Sequence, residues 1–310
     1  MDNIYSEMVQ TLLNKIAGIA GFTNDISLLE GKMGIAIVLF HGSKYFSSEE
    51  LEKVSESLIS DIIEEEHKLY QLSSQKSSNI FWAFNYLSEN RFFELDEDFF
   101  GDVDKVLLSN DENYSKMSVI HYPFLGNYIL SRYRTSSNPE YWITQTQTYL
   151  QNMVKIINHN KGIYLKNVEL LTPFWYTMLK WKEYKFDFEL NNGNIKEICL
   201  FFENAIKESP QGAKQESCIQ FYCAFKDLRF EFNKLNIMTI SGINTIYLHK
   251  LLYPDFILPP NAQITESLAG IVKNKQILNE LIGLVNFQNI GIAGYISGFA
   301  WSLLQYLQYS

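Results

Sequence analysis

Cysteines, histidines and one acidic run hold most of this chain's capacity for chemistry, and their spacing limits what that chemistry can be. Cys199, Cys218 and Cys223 are odd in number and fit no disulfide framework, which predicts reduced thiols in a cytoplasmic protein. Cys218 and Cys223 stand five apart, while Cys199 and His249 are isolated, so no second pair at ligand spacing completes a metal site. Buried structural thiols are the expectation. The run "DEDFFGDVDKVL" puts Asp96, Asp98 and Gly101 at positions one, three and six of a calcium loop. Phe100 at position five and Leu107 at position twelve offer no oxygen ligand, so the run reads as a solvated helix end. His121, in "VIHYPFLGNY", lies just ahead of a glycine-marked apolar segment. An imidazole with its ordinary pKa suits acid–base work there, and a cap or surface histidine is the plainer reading. His41 directly follows an apolar helix core and reads as structural. Gly-x-Ser-x-Gly, phosphate-cradling glycine loops and basic stripes are all missing from the sequence.

The elements that must position these residues are bounded by composition. The chain has 310 residues, 46% hydrophobic and 15% aromatic, enough for a large core in a single domain spanning 1–310. With a net charge of −9, it has the wrong sign of field for a non-specific nucleic-acid binder. No apolar run nears the roughly 20 residues that span a bilayer. "MDNIYSEMVQ" carries neither the basic nor the apolar region of a signal peptide.

The periodicity is helical nearly throughout. "NIYSEMVQTLLNKIAGIA" places Ile4, Met8, Leu12 and Ile16 on one face, and "SSEELEKVSESLISDIIEEE" does so with Leu51, Val54, Leu58 and Ile62. The second opens with Ser47 and Glu50 at capping-box spacing. "NPEYWITQTQTYLQNMVKIINHN" begins with Asn138 as N-cap and Pro139 at the first helical position. "QITESLAGIVKNKQILNELI" is a further one-faced segment. Between these lie segments apolar on every side, such as "GKMGIAIVLFHGSKYF", "NIFWAFNYLSEN", "IHYPFLGNYILSRY", "VELLTPFWYTMLKWKEY", "TISGINTIYLHKLLY" and "GIAGYISGFAWSLLQYL". A helix apolar all round is buried all round. Alternation of the two kinds every 45–50 residues or so predicts a ring or solenoid of helical hairpins. Gly31, Gly34, Gly126, Gly242, Gly294 and Gly298 would let the crowded starts of inner helices approach closely. Ordinary helix–helix contact in an irregular bundle is the alternative.

These residues resemble a known family. "SLLEGKMGIAIVLFHGSKYFSSEELEKVSESLISDI" is similar to the first hairpin of the lanthionine synthetase C-like family, and "IFWAFNYLSENRFFELDEDFFGDVDKVL" to its second. "GIAGYISGFAWSLL" resembles the small-residue motif that closes the last. The resemblance is strongest at both ends and weak between about 160 and 235. It implies an all-α fold, an α/α toroid of about six to seven hairpins. Its members cyclise ribosomally made peptides by adding a cysteine thiol to a dehydroamino acid, and zinc deprotonates the thiol. The family holds zinc with one cysteine in a Trp-Cys-Tyr-Gly-like motif and an adjacent Cys-His pair.

This chain departs from that pattern. With Gly242 on the family's second glycine, Ile237 and Met238 stand where the Cys-His pair belongs, and the first ligand position falls on Asn191 or Cys218. At least two of three ligands are gone, so no metal and no cofactor are expected. What the resemblance then implies is a zinc-free peptide-binding or accessory component. Its partners would be a precursor peptide and a dehydratase or other modifying enzyme. A zinc-independent cyclase, or other chemistry in the toroid cavity, is the alternative. His121, Tyr122, Phe124, Trp175 and Tyr295, at the starts of inner helices, are the candidates to line a peptide-accepting mouth, because aromatics give large contact area at low entropy cost. The competing expectation is that these rings merely fill the barrel. Elemental analysis of the purified chain should find no stoichiometric zinc. About one zinc per chain surviving mild chelation would refute this, and occupancy lost with Cys218→Ser would identify the ligand.

Overall fold

A computed structural model describes residues 2–65, 74–95, 97–108, 122–160, 162–163, 177, 180, 251–252, 275–283, 285, 291–292 and 296–309. Among them all regular structure is helical, with no strand. The helices are α1 (Asp2–Ala20), α2 (Lys32–Phe46), α3 (Glu49–Glu64), α4 (Ser74–Glu89) and α5 (Glu97–Leu108). A 3-10 turn (Tyr122–Phe124) leads into α6 (Leu125–Thr135), and α7 (Pro139–His159), α8 (Lys275–Gly283) and α9 (Ile296–Tyr309) follow. The chain forms two compact units, one from Met1–Leu69 with Glu231–Ser310 and one from Tyr70–Phe230.

The first unit joins the two ends of the sequence. In α1, Met8, Leu12 and Ile16 are buried while Glu7, Thr11 and Lys15 face water, the one-faced pattern that period 3.6 requires. In α2 every residue from Lys32 to Phe40 is buried, so the helix has no wet side over its first two and a half turns. Helix α3 returns antiparallel beside it: Lys32 Nζ meets Asp61 at 2.5 Å, and Gly42 lies against Leu51. The turn between them differs from the capping-box expectation. Ser47 ends α2 in the left-handed conformation (φ 51°), so Ser48 becomes the N-cap of α3, accepting from the Leu51 N–H. The two helices are so close in sequence that one serine must stop the first before the next can start the second.

Helix α9 carries no charged residue and is buried from Ser297 to Gln305. It packs against α2 in the same direction. Gly34, near the start of α2, faces Ile292, just ahead of α9, and His41, two turns on, meets Trp301. Lys15 on α1 reaches across to donate to the Ile282 carbonyl at 3.1 Å in the last turn of α8, satisfying one of the acceptors a helix end leaves open.

The second unit shows the same grammar. Helices α4 and α6 run side by side in one direction. Their C-terminal ends are tied by Thr135 Oγ1 to Asn85 Oδ1 at 3.1 Å and Arg134 to Glu89 at 3.3 Å, and the turn heading α6 packs on α4. Helix α7 is antiparallel to α6, since Trp142 lies by Tyr128 and Arg132 while Tyr149 lies by Tyr122. It starts as its sequence predicts, with Asn138 accepting from the Tyr141 N–H at 3.2 Å and Pro139 at the first position. Residues 97–108 form continuous helix through Gly101, with Phe100 and Val103 enclosed and the Asp104 side chain mostly so. The acidic run is thus the body of a packed helix where a solvated helix end was expected.

Gly31, Gly34, Gly126 and Gly291 are among the glycines required by close approach. A Cβ on Gly34 would strike the Leu28 carbonyl oxygen and sit 2.7 Å from Ile292 Cγ2; one on Gly126 would meet Thr177 Oγ1 and lie 2.7 Å from the Tyr149 ring. Gly101 meets nothing within 4 Å. Gly242 and Gly294 lie outside the described residues. Gly34→Ala should therefore lose about 1–3 kcal/mol of stability from overpacking, whereas Gly101→Ala should gain roughly 0.5–1 kcal/mol from helix propensity. Urea unfolding of the two variants checks this, and a stabilised Gly34→Ala would show that α2 and α9 are not tightly apposed.

Candidate functional site

The residues expected at the mouth are placed unevenly. His121, Trp175 and Tyr295 lie outside the described residues, as do Ile237, Met238, Asn191 and Cys218, and Phe124 is described only as part of the 3-10 turn. Tyr122 is wholly enclosed. Its ring stacks on Tyr149 with centroids 5.4 Å apart and planes 21° apart, and the Tyr149 hydroxyl donates to the Pro123 carbonyl at 2.6 Å. Gly126 admits this stack, because a side chain there would occupy the space of the Tyr149 ring tip. The start of α6 is thus clamped to α7 by an aromatic pair and one buried hydrogen bond.

A second cluster, which the sequence reading did not single out, sits where α5, α6 and α7 meet. Asp104 on α5 receives a fork from Arg132 on α6: Nη2 donates to Oδ2 at 2.9 Å and Nε to Oδ1 at 3.3 Å. The Tyr128 hydroxyl, one turn earlier on α6, donates to the same carboxylate. The guanidinium lies 4.6 Å from the Phe100 ring centroid and 5.4 Å from that of Trp142, so its faces are covered by π clouds that favour a cation. Trp142 in turn meets Tyr128 edge to face at 6.1 Å. Arg132 is only 6% exposed. Its position in the last turn of α6 sets a positive charge at the negative end of the helix dipole.

The electrostatics of the cluster define what it can do. Burial, reinforced by the neighbouring Asp104 charge, pushes the Tyr128 phenol well above its ordinary pKa, so it stays a protonated donor. Burial and then Asp104 raise Tyr141 as well. The carboxylate is engaged by three donors and its charge is matched by the guanidinium. Such a cluster holds three helices in register; it offers no nucleophile or base. Asp104 and Arg132 are 28 residues apart, and nothing in their local patterns pairs them. The one available sign was an arginine inside an otherwise all-round apolar segment.

In the first unit, His41 has a displaced equilibrium. Its ring meets Trp301 edge-on at 4.7 Å between α2 and α9. Burial, with a smaller contribution from the positive Lys44, lowers its pKa to about 4. At neutral pH it is an uncharged packing ring, as its position after the helix core suggested. In the second unit, Glu89 is raised by burial, against the opposing pull of Arg134.

Among the described residues no group of three or more His, Cys, Asp or Glu side chains could hold a metal ion, and no helix is long and apolar enough to cross a membrane. No family model, curated protein or solved structure matches this chain.

Two outcomes follow from these contacts. Removing one member of the buried pair, as in Arg132→Met or Asp104→Leu, should cost about 3–5 kcal/mol because the other charge is stranded. The double variant should recover much of that loss in denaturant unfolding, and simple additivity of the two losses would mean that the charges are not coupled. For His41, the unfolded chain takes up a proton near pH 6.5 and the folded chain only near pH 4. Stability is therefore full above pH 6.5 and falls as pH drops toward 4, by roughly 3 kcal/mol at 1.36 kcal/mol per unit. His41→Gln should remove that slope from the pH dependence of thermal unfolding. An unchanged slope would assign it to other groups.

Proposed function

We propose that this chain is a zinc-free, lanthionine synthetase C-like α/α toroid that acts in the cytoplasm as a peptide-binding or accessory component in the maturation of a ribosomally made peptide. The observation that supports this reading is the parallel pairing of apolar helices, of which α2, α6 and α9 carry glycine. α2 packs parallel to α9, α4 packs parallel to α6, and the antiparallel partners α3 and α7 lie beside α2 and α6. Parallel inner helices, each with an outer helix returning beside it, are what a closed ring of hairpins needs. Contact between the first such helix of the sequence and the last is what distinguishes a ring from an open solenoid.

The same burial directs where a peptide would bind. The inward and outward faces of α2 are both enclosed over Lys32–Phe40, as are those of α6 over Leu125–Arg132. A partner would therefore meet helix ends and the loops that lead into them. His121, immediately before the Tyr122–Phe124 turn, is the residue at such an end with chemistry of its own. Tyr122, being enclosed, would support the turn from beneath.

Calorimetric titration of the full chain with a synthetic Cys/Ser/Thr-rich peptide tests the proposal. Saturable, zinc-independent binding is expected. His121→Ala should weaken it several-fold with an unchanged melting temperature, whereas Tyr122→Phe, which keeps the stack on Tyr149, should leave it intact. Absence of binding, or binding indifferent to His121, would overturn the reading. With a peptide carrying dehydroalanine in place of one serine, loss of the free thiol at unchanged mass, as the S–H adds across the double bond, would show instead that the chain is a zinc-independent cyclase.

A further inference from the structure

We draw no further inference here: the strongest candidate, the enclosed Asp104–Arg132–Tyr128 cluster between α5, α6 and α7, belongs to the site already described, and no second observation beside it points to a ligand.

Discussion

The structure depends on helices that have no wet side. A helix enclosed on every face must be surrounded by other helices, and two enclosed neighbours can pack only as closely as their smallest residues allow. Gly34 and Gly126 occupy such contacts, and the atoms that crowd them come from four different places: a loop carbonyl, a side chain from the far end of the sequence, a ring on the returning helix and the Thr177 hydroxyl. One consequence is that the amphipathic helices α1, α3 and α7 are not free to be anywhere. Their single apolar faces help to cover what α2, α6 and α9 cannot expose.

Full enclosure also constrains the polar side chains those helices carry. A buried hydroxyl without a partner costs about 1–3 kcal/mol. Most here are satisfied within their own helix. Ser43 donates to the Phe40 carbonyl, Ser55 to Leu51, Ser131 to Tyr128, Thr146 to Trp142 and Ser302 to Gly298, all at 2.7–2.9 Å. These bonds make serine and threonine behave as small core residues. Charged groups cannot be settled so locally. Lys32 needs Asp61 from the neighbouring helix, and Arg132 needs Asp104 together with two aromatic faces. Those two ion pairs therefore fix the register of α2 with α3 and of α5 with α6. Apolar packing alone would leave both less defined.

How much of this was legible in the sequence varied with the range of the interaction. Local patterns read well: the one-faced stripe of Met8, Leu12 and Ile16, the Asn138–Pro139 helix start, and the all-round apolar stretch from Gly31 to Phe40 all correspond to what is seen. The Ser47 cap moved by one residue, because two helices compete for that turn and composition does not say which wins. The Asp104–Arg132 pair was invisible, since a 28-residue separation leaves no periodic trace and Asp104 looked like one more acid at a solvated helix end. The mouth residues were chosen for their place at the start of apolar segments. That rule does not distinguish a ring turned inward onto a neighbour, as Tyr122 is on Tyr149, from one turned toward a ligand.

The enclosed titratable groups bear on where any chemistry can reside. His41 is held neutral at pH 7 by burial, and Tyr128 is held protonated by burial and by Asp104. Each sits in a protonation state fixed by its surroundings, whereas a general acid or base needs a pKa near the working pH and a path to substrate. These positions are therefore architectural.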